Sequence, residues 1–479
     1  LIKGFQPALR TKILEINSWP EKLEEVGGIG SRRIEYDLGH RRVKEMEVFL
    51  GHDDVLSLAV MLMEERKFRE ILTARFPILF IDEYQDTNVG IAESIVKHFV
   101  APKKGPLIGL FGDSWQKIYG DGCGLIEHEK LYFIGKGANF RSVKTIVDVL
   151  NRMRSELPQE VKNPESVGFV EVYHTNNWAG TRRTGPHWAG DLPADDAHAY
   201  LLAIIEKLEG KGWDFSPEKT KILMLTHNVL ANEQGYSELA NVFSYNESYI
   251  KKESPHIAFL VDTIEPICIA YLGRRYGEMF ATQGRRTIAV KSIKDKLAWA
   301  RDMDRLIELR ENGSIGEILD HLIAVGRPRI PESVNNVETA LLNASPEEIN
   351  ESRTLSEIKE LREVPYKQVI SLAKYLNDYT PFSTKHGVKG AEFENVLVVL
   401  GRGWNHYNWN QFLEWAPSRF PANKAVFYER NRNLFYVVCS RPKERLALLF
   451  TQELSERALS TLIDWFGSTA ICSTTIGNL

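Results

Sequence analysis

Cysteine is scarce in this chain, with four residues among 479. Cys123, Cys268, Cys439 and Cys472 lie far apart and form no CxxC pair, which argues against a disulfide framework or a cysteine-rich zinc site. No apolar run approaches the roughly 20 residues that a membrane span needs, and the amino terminus lacks the layout of a secretory signal. We therefore expect no membrane segment, and the cytoplasm is the default location.

The chain also lacks an excess of charge of either sign. Its 60 Lys and Arg against 64 Asp and Glu give a formal net charge of -4, so the total does not indicate nucleic-acid binding, although a local basic groove can exist within a balanced total. A chain of 479 residues, 43% hydrophobic and 26% charged, is globular and too long for one core. We expect roughly two to four domains.

The amino-terminal third alternates helix and strand signals. Residues 53 to 66 carry apolar residues at helical spacing, and the run Ile78 to Ile81 has the pattern of a fully buried strand. A helix near residues 89 to 100 precedes a second buried strand that ends at Gly112 and Asp113. Strand, helix and strand in this order predict a parallel sheet with its loops at the carboxyl edge.

The remainder of the chain predicts a second α/β domain interrupted by helices. Three further strand signals occur in TKILMLTH (220 to 227), NVLVVLG (395 to 401) and RLALLFT (445 to 451). Residues 228 to about 375 lack strong strand signals. Within them, one amphipathic helix is predicted from the apolar stripe Ile293, Leu297, Ala300, Met303 and Ile307. The helical block is therefore predicted to be inserted into the second α/β domain.

Asp82 and Glu83 directly follow the first predicted strand. A carboxylate at the carboxyl end of a buried parallel strand is well placed to hold Mg²⁺ beside a nucleotide's phosphates, and the next acid can orient the attacking water. An isolated acid at a strand end can equally cap the next helix. The choice between these interpretations depends on the neighbouring motifs.

Two of those motifs lie shortly downstream. In GDSWQKIYG, Gln116 follows the second strand, where an amide can sense a γ-phosphate, and Tyr119 offers a ring to a nucleic-acid base. In NFRS, Arg141 stands at a helix start, where a guanidinium can grip phosphate. The plain alternatives are a common Gly-Asp turn and a surface arginine.

Two more motifs lie near the carboxyl end. TKHGVKGAEF places His386, Lys389 and Glu392 three residues apart around two glycines, and a simple glycine turn is an equally good interpretation. Arg441 ends an apolar segment, so that a structural salt bridge competes with an arginine finger.

Taken in order, these motifs resemble those of the UvrD/Rep/PcrA-type DNA helicases of superfamily 1. The resemblance rests on DEYQDTN, GDxxQxIYG, NFRS, THGxKGxEF with Lys385 interposed, and LFYVxxSR, and it extends from about residue 50 to residue 452. It implies an α/β fold of two RecA-like parallel-sheet domains, the first incomplete, with a mostly helical insertion in the second. ATP would bind between the domains, and single-stranded DNA would cross their top.

The resemblance also implies a division of the chain into four segments. These are the remainder of the first RecA-like domain with part of its insertion (1 to 138), the first part of the second (139 to 227), a 2B-like helical insertion (228 to 375) and the second part of the second RecA-like domain (376 to 479).

Roles for individual residues follow from the resemblance alone. Asp82 would ligate Mg²⁺, Glu83 would polarise water, and Gln116 would couple the γ-phosphate to DNA. Arg141 and Arg441 would reach the γ-phosphate, and Glu392 would contact the ribose. Tyr119, His386 and Lys389 would face DNA.

The sequence departs from the family at three points. Gly120, Asp121 and Gly122 follow Tyr119 where an aromatic residue and an arginine are usual, and Ser440 stands where threonine is usual. No GxxxxGK[ST] phosphate loop occurs in the 479 residues. We therefore expect that an amino-terminal piece of the first domain is missing and that residues 1 to 479 alone do not hydrolyse ATP.

Two functional hypotheses remain after this comparison of motifs. The first is an ATP-dependent 3′ to 5′ DNA helicase or translocase, of a kind that serves in repair, recombination or antiphage defence with nuclease partners. The second is an ATPase-inactive, helicase-like scaffold subunit of a nuclease complex, and a kinase is a weaker third idea without an acceptor signature.

Single-strand binding with strong salt dependence is expected from a basic run of Lys136, Arg141, Lys144, Arg152 and Arg154. A solvated helix face is an alternative explanation for Lys144, Arg152 and Arg154.

Overall fold

Two compact units make up the chain in a computed structural model. Leu1–Ser166 with His406–Ser440 form the first unit, and Val167–Asn405 with Arg441–Leu479 form the second. The structure describes residues 12–16, 19–24, 27–36, 42–102, 104–118, 120–185, 187–224, 231, 233–283, 290–377, 380, 382–384, 392–402, 407–418 and 420–474. The four-segment division expected from the sequence remains a prediction.

The strands are short in the first unit and longer in the second. In chain order they are β1 (Arg33–Tyr36), β2 (Arg42–Val43), β3 (Glu47–Leu50), β4 (Ile78–Ile81), β5 (Leu107–Leu110), β6 (Ala138–Asn139), β7 (Glu160–Val161), β8 (Phe169–His174), β9 (Thr220–Met224), β10 (Phe382–Thr384), β11 (Phe393–Leu400), β12 (Pro442–Phe450) and β13 (Ile471–Ser473).

Helices make up most of the rest of the described chain. They are α1 (Trp19–Glu24), α2 (His52–Glu64), α3 (Arg66–Arg75), α4 (Val89–Ile95), α5 (Lys144–Met153), α6 (Ala194–Gly210), α7 (Ser237–Val242), α8 (Glu247–Ile250), α9 (Pro255–Phe259), α10 (Glu265–Leu272), α11 (Tyr276–Gln283), α12 (Ile293–Asn312), α13 (Ile315–Val325), α14 (Glu332–Asn343), α15 (Pro346–Glu351), α16 (Arg353–Glu363), α17 (Lys367–Leu376), α18 (Trp409–Trp415), α19 (Ala425–Cys439) and α20 (Glu456–Phe466). Single turns of 3₁₀-helix include Tyr84–Asp86 and Ser114–Gln116.

The first unit contains small sheets. β1 and β3 pair in parallel, and β2 pairs with β3 in antiparallel fashion. β4 pairs with β5 in parallel, with Ile81 opposite Leu110. Helix α2 begins where the Asp54 carboxylate accepts the backbone N–H of Gly51 at 2.9 Å, which satisfies a donor that the first turn would leave unpaired.

The strand β4 is not fully buried, and this part of the sequence-based prediction was wrong. Ile78 is 55% exposed and Phe80 63% exposed, and their neighbour Leu107 on β5 is 66% exposed. An apolar parallel strand is buried when helices cover both faces of its sheet. Within the described residues β4 and β5 pair only with each other, and one face of this two-stranded sheet is open.

The second unit is built on one six-stranded sheet. Its order is β10-β9-β11-β12-β8-β13, and every pair of neighbours is parallel. Helix α6 packs its buried side chains, among them Tyr200 and Ile204, against one face of the sheet in a common apolar core with Leu397 and Leu449. The predicted α/β class with parallel sheets is thereby confirmed.

A helical block lies between β9 and β10, as the sequence predicts. Its core is formed by residues of helices α7 to α17, including Ile264, Met303 and Leu319. The predicted apolar stripe on α12 was partly wrong, because Ile293 and Leu297 are exposed. The buried face is instead Trp299, Asp302, Met303, Leu306 and Leu309, which is rotated away from the amino-terminal part of the predicted stripe.

Among the described residues one helical stretch, Ser248–Leu272, is long and apolar enough to cross a membrane by length and composition. The mean hydropathy of its most apolar window is 1.3, and 56% of that window is buried inside the protein. Ile257, Leu260 and Ile267 lie in the core of the helical block. A core helix of a soluble protein has the same properties, so this stretch is weak evidence for a membrane span.

Candidate nucleotide site

Two neighbouring strand ends deliver the acidic residues of the first unit to one place. Because β4 and β5 are parallel and Ile81 lies opposite Leu110, the segments that follow them leave the same edge of the sheet. The pairing continues past the strands, since Tyr84 donates its backbone N–H to the Phe111 carbonyl at 3.0 Å. Asp82, Glu83 and Asp113 therefore lie on adjacent loops at the carboxyl edge, where ligands bind in open α/β sheets.

Glu83 has an unusual backbone conformation. Its φ is 48°, in the left-handed region that residues other than glycine rarely adopt. The Asp82 carboxylate accepts the Glu83 backbone N–H at 2.9 Å, and this bond holds the turn. Both side chains are exposed. Strained positions of this kind cluster at functional sites.

Gln85 links the two strand ends. Its side chain is completely buried, its amide nitrogen donates to the Glu83 carboxylate, and its amide oxygen accepts the backbone N–H of Asp113 at 3.1 Å. The loops approach so closely that a Cβ on Gly112 would lie 2.1 Å from the Gln85 amide oxygen. A side chain at position 112 would therefore displace the Gln85 amide from this bond.

Asp113 is the centre of a second set of bonds. Its carboxylate accepts the backbone N–H of Trp115 at 3.0 Å and the Gln116 amide at 3.3 Å. The same Nη1 of Arg154 lies 2.7 Å and 2.8 Å from the two Asp113 carboxylate oxygens. One continuous hydrogen-bond chain thus runs from Glu83 through Gln85 and Asp113 to Gln116.

Aromatic and cationic side chains fix the loop that carries Gln116. The Trp115 ring lies 4.8 Å from the Arg154 guanidinium carbon and 4.3 Å from that of Arg432. It also packs edge-to-face on Tyr436, with ring centroids 5.3 Å apart. Asn433, also on α19, donates to the carbonyl oxygens at both ends of the 3₁₀ turn, those of Ser114 and Lys117. Helix α19 therefore holds the loop in place.

The pKa values in this cluster reflect burial and close charges. Burial alone would lower the pKa of Arg154, but the Asp113 carboxylate raises it above its ordinary value. Burial lowers the pKa of Arg432. Burial and the nearby Asp113 charge raise the pKa of Tyr436. Both guanidinium groups stay charged, since an arginine is protonated at any physiological pH.

Arg141 lies at the carboxyl end of α19. Its Nη1 donates to the carbonyl oxygen of Ser440 at 3.1 Å, and its backbone N–H donates to the Asn139 side chain at 3.0 Å. A guanidinium at this position satisfies a carbonyl that the last helical turn leaves open and complements the helix dipole. The structure therefore gives Arg141 a capping contact within the first unit.

Glu392 and Arg441 belong to the second unit and share one edge of its sheet. They directly precede the parallel neighbours β11 and β12, and the Phe393 backbone N–H donates to the Arg441 carbonyl at 3.3 Å. Arg441 is 1% exposed. Glu392 is exposed and lies 3.0 Å from Lys443 in an ion pair. The structure thus brings these two predicted nucleotide contacts together at the amino edge.

Three predicted DNA contacts, Tyr119, His386 and Lys389, lie outside the described residues. The basic run expected to bind DNA is only partly exposed. Arg154 is buried against Asp113, and Lys144 forms an ion pair with Asp148 at 2.6 Å. Lys136 and Arg152 are exposed.

The residues at the carboxyl edge fit a magnesium ion that is held mainly by a nucleotide. No group of three or more His, Cys, Asp or Glu side chains that could hold a metal occurs in the described part of the chain. Mg²⁺ beside a nucleotide is commonly bound through one or two carboxylates together with phosphates and water. The exposed Asp82 carboxylate is a donor of this type.

Sequence reasoning missed the parts played by Gln85, Trp115 and Arg154. Gln85 is part of the DEYQDTN motif, but nothing in a single sequence shows that it is the buried bridge. Arg154 was grouped with surface cations, because charge alone does not distinguish a solvated arginine from a buried one. The proximity of Asp113 to Arg154, 41 positions away, is a tertiary contact.

Comparison with known proteins gives one family match and two relatives. Residues 31–120 match the UvrD/REP helicase N-terminal domain. The chain is 22% identical over 478 residues to the Gabija protein GajB of Bacillus cereus (strain HuB5-5), and this alignment covers 89% of the chain and 66% of the relative. It is 30% identical over 123 residues to the RecBCD enzyme subunit RecB of Buchnera aphidicola subsp. Schizaphis graminum, which covers 24% of the chain and 10% of that protein.

Proposed function

We propose that this chain, a helicase-type protein related to the UvrD/REP family, belongs to an ATP-dependent helicase or translocase that moves 3′ to 5′ on single-stranded DNA. The polarity and the substrate are those of the family that the motifs resemble. Because the chain spans 66% of the Gabija relative and 10% of RecB, the activity is proposed for the full-length protein.

One observation carries the proposal: the hydrogen-bond chain that joins Glu83 to Gln116. ATP hydrolysis needs a residue that orients the attacking water and residues that respond to the γ-phosphate, held in fixed geometry. The Glu83 carboxylate suits the first task and the Gln116 amide suits the second, and the two residues lie after the adjacent strands β4 and β5. Gln85 and Asp113 hold both within one network, which would link the state of the nucleotide to the loop that leads towards DNA.

ATP and Mg²⁺ are the proposed cofactors. Asp82 would hold the metal, which supplies charge stabilisation for the transferring phosphoryl group. Arg141 and Arg441 would reach the γ-phosphate, and Glu392 would contact the ribose. These assignments follow the family motifs.

The proposed setting is antiphage defence in the cytoplasm, beside a nuclease. The likeness to a Gabija protein extends over 89% of the chain, which supports this setting over repair or recombination. The second relative is a subunit of the RecBCD enzyme, and this likeness supports a subunit of a larger assembly. A nuclease subunit is accordingly the partner that we propose.

The test uses the full-length protein and a Glu83→Gln variant. We expect ATP turnover that single-stranded DNA stimulates, and we expect the variant to bind ATP while turnover is abolished, because glutamine keeps the hydrogen bond from Gln85 but cannot polarise water. Partial duplexes with a 3′ or a 5′ single-stranded tail would report polarity by strand displacement. A full-length protein that binds DNA without hydrolysing ATP would instead support the inactive scaffold.

A further inference from the structure

The Asp113 carboxylate holds the Gln116 side chain in the structure. Gln116 donates its amide to one carboxylate oxygen at 3.3 Å, and Trp115 donates its backbone N–H to the other at 3.0 Å. In the proposed function, Gln116 must be able to turn toward a γ-phosphate. The strength with which Asp113 binds this amide therefore affects the reaction, although Asp113 itself is not assigned to the nucleotide.

Arg154 sets that strength. It is 9% exposed, and its Nη1 reaches both Asp113 oxygens, at 2.7 Å and 2.8 Å. A carboxylate that shares its charge with a guanidinium binds a neutral amide less tightly than an unpaired, partly buried carboxylate does. Without the guanidinium, Asp113 would retain Gln116 more strongly or the turn would rearrange.

The position of the Arg154 guanidinium is itself fixed. It lies 4.8 Å from the Trp115 ring and 5.6 Å from the Tyr436 ring, so it is packed between the loop that carries Gln116 and helix α19. A second guanidinium contact of the Trp115 ring, with Arg432 at 4.3 Å, restricts the ring further. A lysine could keep the charge of Arg154 but would not reproduce its planar stacking.

We propose that Arg154 is a positioning residue for ATP hydrolysis. By neutralising the Asp113 carboxylate, it weakens the hydrogen bond from the Gln116 amide to this carboxylate, so that Gln116 can turn toward the nucleotide. The inference rests on the proposed ATPase function. It assigns no contact between Arg154 and the nucleotide. Replacing Arg154 should therefore lower kcat and the stimulation of ATP hydrolysis by DNA, while the KM for ATP stays unchanged.

The experiment compares Arg154→Met with the wild type in the full-length protein. We expect Arg154→Met to lower the DNA-stimulated kcat by roughly 10-fold to 100-fold, the range that small misplacements of reacting groups cause. The matched control is Arg66→Met, at an exposed arginine that begins α3 and has no proposed role in DNA or nucleotide binding, which should leave kcat unchanged. Arg154→Lys keeps the charge and should fall between the wild type and Arg154→Met, which guards against a methionine variant that does not fold.

The deciding measurement repeats Arg154→Met in an Asp113→Asn background. If Arg154 acts by neutralising the carboxylate, removing that carboxylate should leave the second substitution with less than about a threefold effect. An equal loss in both backgrounds, or an increase in KM that accounts for the whole loss, would overturn the inference while leaving the proposed function intact. A wild-type protein without ATP turnover would overturn both, since no reaction would remain to be positioned.

Discussion

Gln85 accepts the backbone N–H of Asp113 at 3.1 Å, a bond between residues 28 positions apart. The two residues follow adjacent parallel strands, and the completely buried amide closes the gap between their loops. The bond sets the distance between the acidic loop after β4 and the Gln116 loop after β5. Four predictions follow from this and other contacts.

The first prediction concerns this bond. Gln85→Met keeps the length of the side chain but removes its hydrogen bonds to Glu83, Asp86 and Asp113, which leaves the Asp113 N–H unpaired at a cost of about 1–3 kcal/mol. Amide exchange at Asp113, measured by mass spectrometry on a peptide that spans the loop, should accelerate by roughly 5-fold or more. Glu93→Gln on the exposed face of α4 is the control and should leave it unchanged. Unaltered protection in Gln85→Met would show that Gln85 does not hold the loop.

The second prediction concerns Arg441. If the buried guanidinium acts as an arginine finger, Arg441→Ala should lower ATP turnover of the full-length protein by roughly 10³-fold or more with the fold intact. The exposed Glu444, on the strand β12 that directly follows Arg441, offers a control, Glu444→Ala, that should affect neither property. Thermal melting beside steady-state ATP hydrolysis separates the two roles. A variant that melts early yet keeps its turnover per folded molecule would make Arg441 structural.

The third prediction concerns DNA. Binding should favour single strands and weaken as salt increases, because phosphate contacts release counterions and carry no base code. Lys136 is exposed, and its ammonium lies 5.8 Å from the exposed Phe140 ring. Lys136→Glu should lower the slope of log affinity against log salt by about 0.7 or more, whereas Lys67→Glu on the exposed face of α3 should not. Equal slopes, or a preference for duplex, would contradict this contact.

The fourth prediction concerns pH and His174, at the end of β8. Burial lowers the pKa of His174 below its ordinary value of 6.5, so the unfolded chain binds the proton more readily than the folded one. Stability is therefore fully present above about pH 6.5 and decreases as the pH falls toward the folded pKa, by at most about 1.4 kcal/mol per pH unit. His174→Asn should remove this component, and the exposed His52→Asn should not. If the melting temperatures of the wild type and of His174→Asn fell by the same amount between pH 7.5 and 5, the prediction would be refuted.

The motifs and the fold class depend on residues that are close together in the chain, so both could be predicted from the sequence. Short strings such as DEYQDTN and NFRS place acids, amides and arginines at strand and helix ends, because apolar periodicity marks where those elements stop. Three strands of the six-stranded sheet, β9, β11 and β12, and the helical insertion after β9 were predicted from the same periodicity, whereas β8, β10 and β13 were not. The strand at Ile78 and the stripe through Leu297 were misjudged, since apolar composition predicts a potential to be buried and only neighbouring elements supply the cover.

The tertiary structure decided which of the charged residues act together. Glu83, Gln85, Asp113 and Arg154 are separated by up to 71 positions, and their hydrogen bonds depend on the register of β4 with β5 and on the packing of α5 and α19 beside them. Arg154 looks like a surface cation in the sequence and is a buried partner of Asp113 in the structure, because burial and pairing are properties of the folded chain. The sequence by itself determined the chemistry available, and the fold determined which groups are close enough to use it.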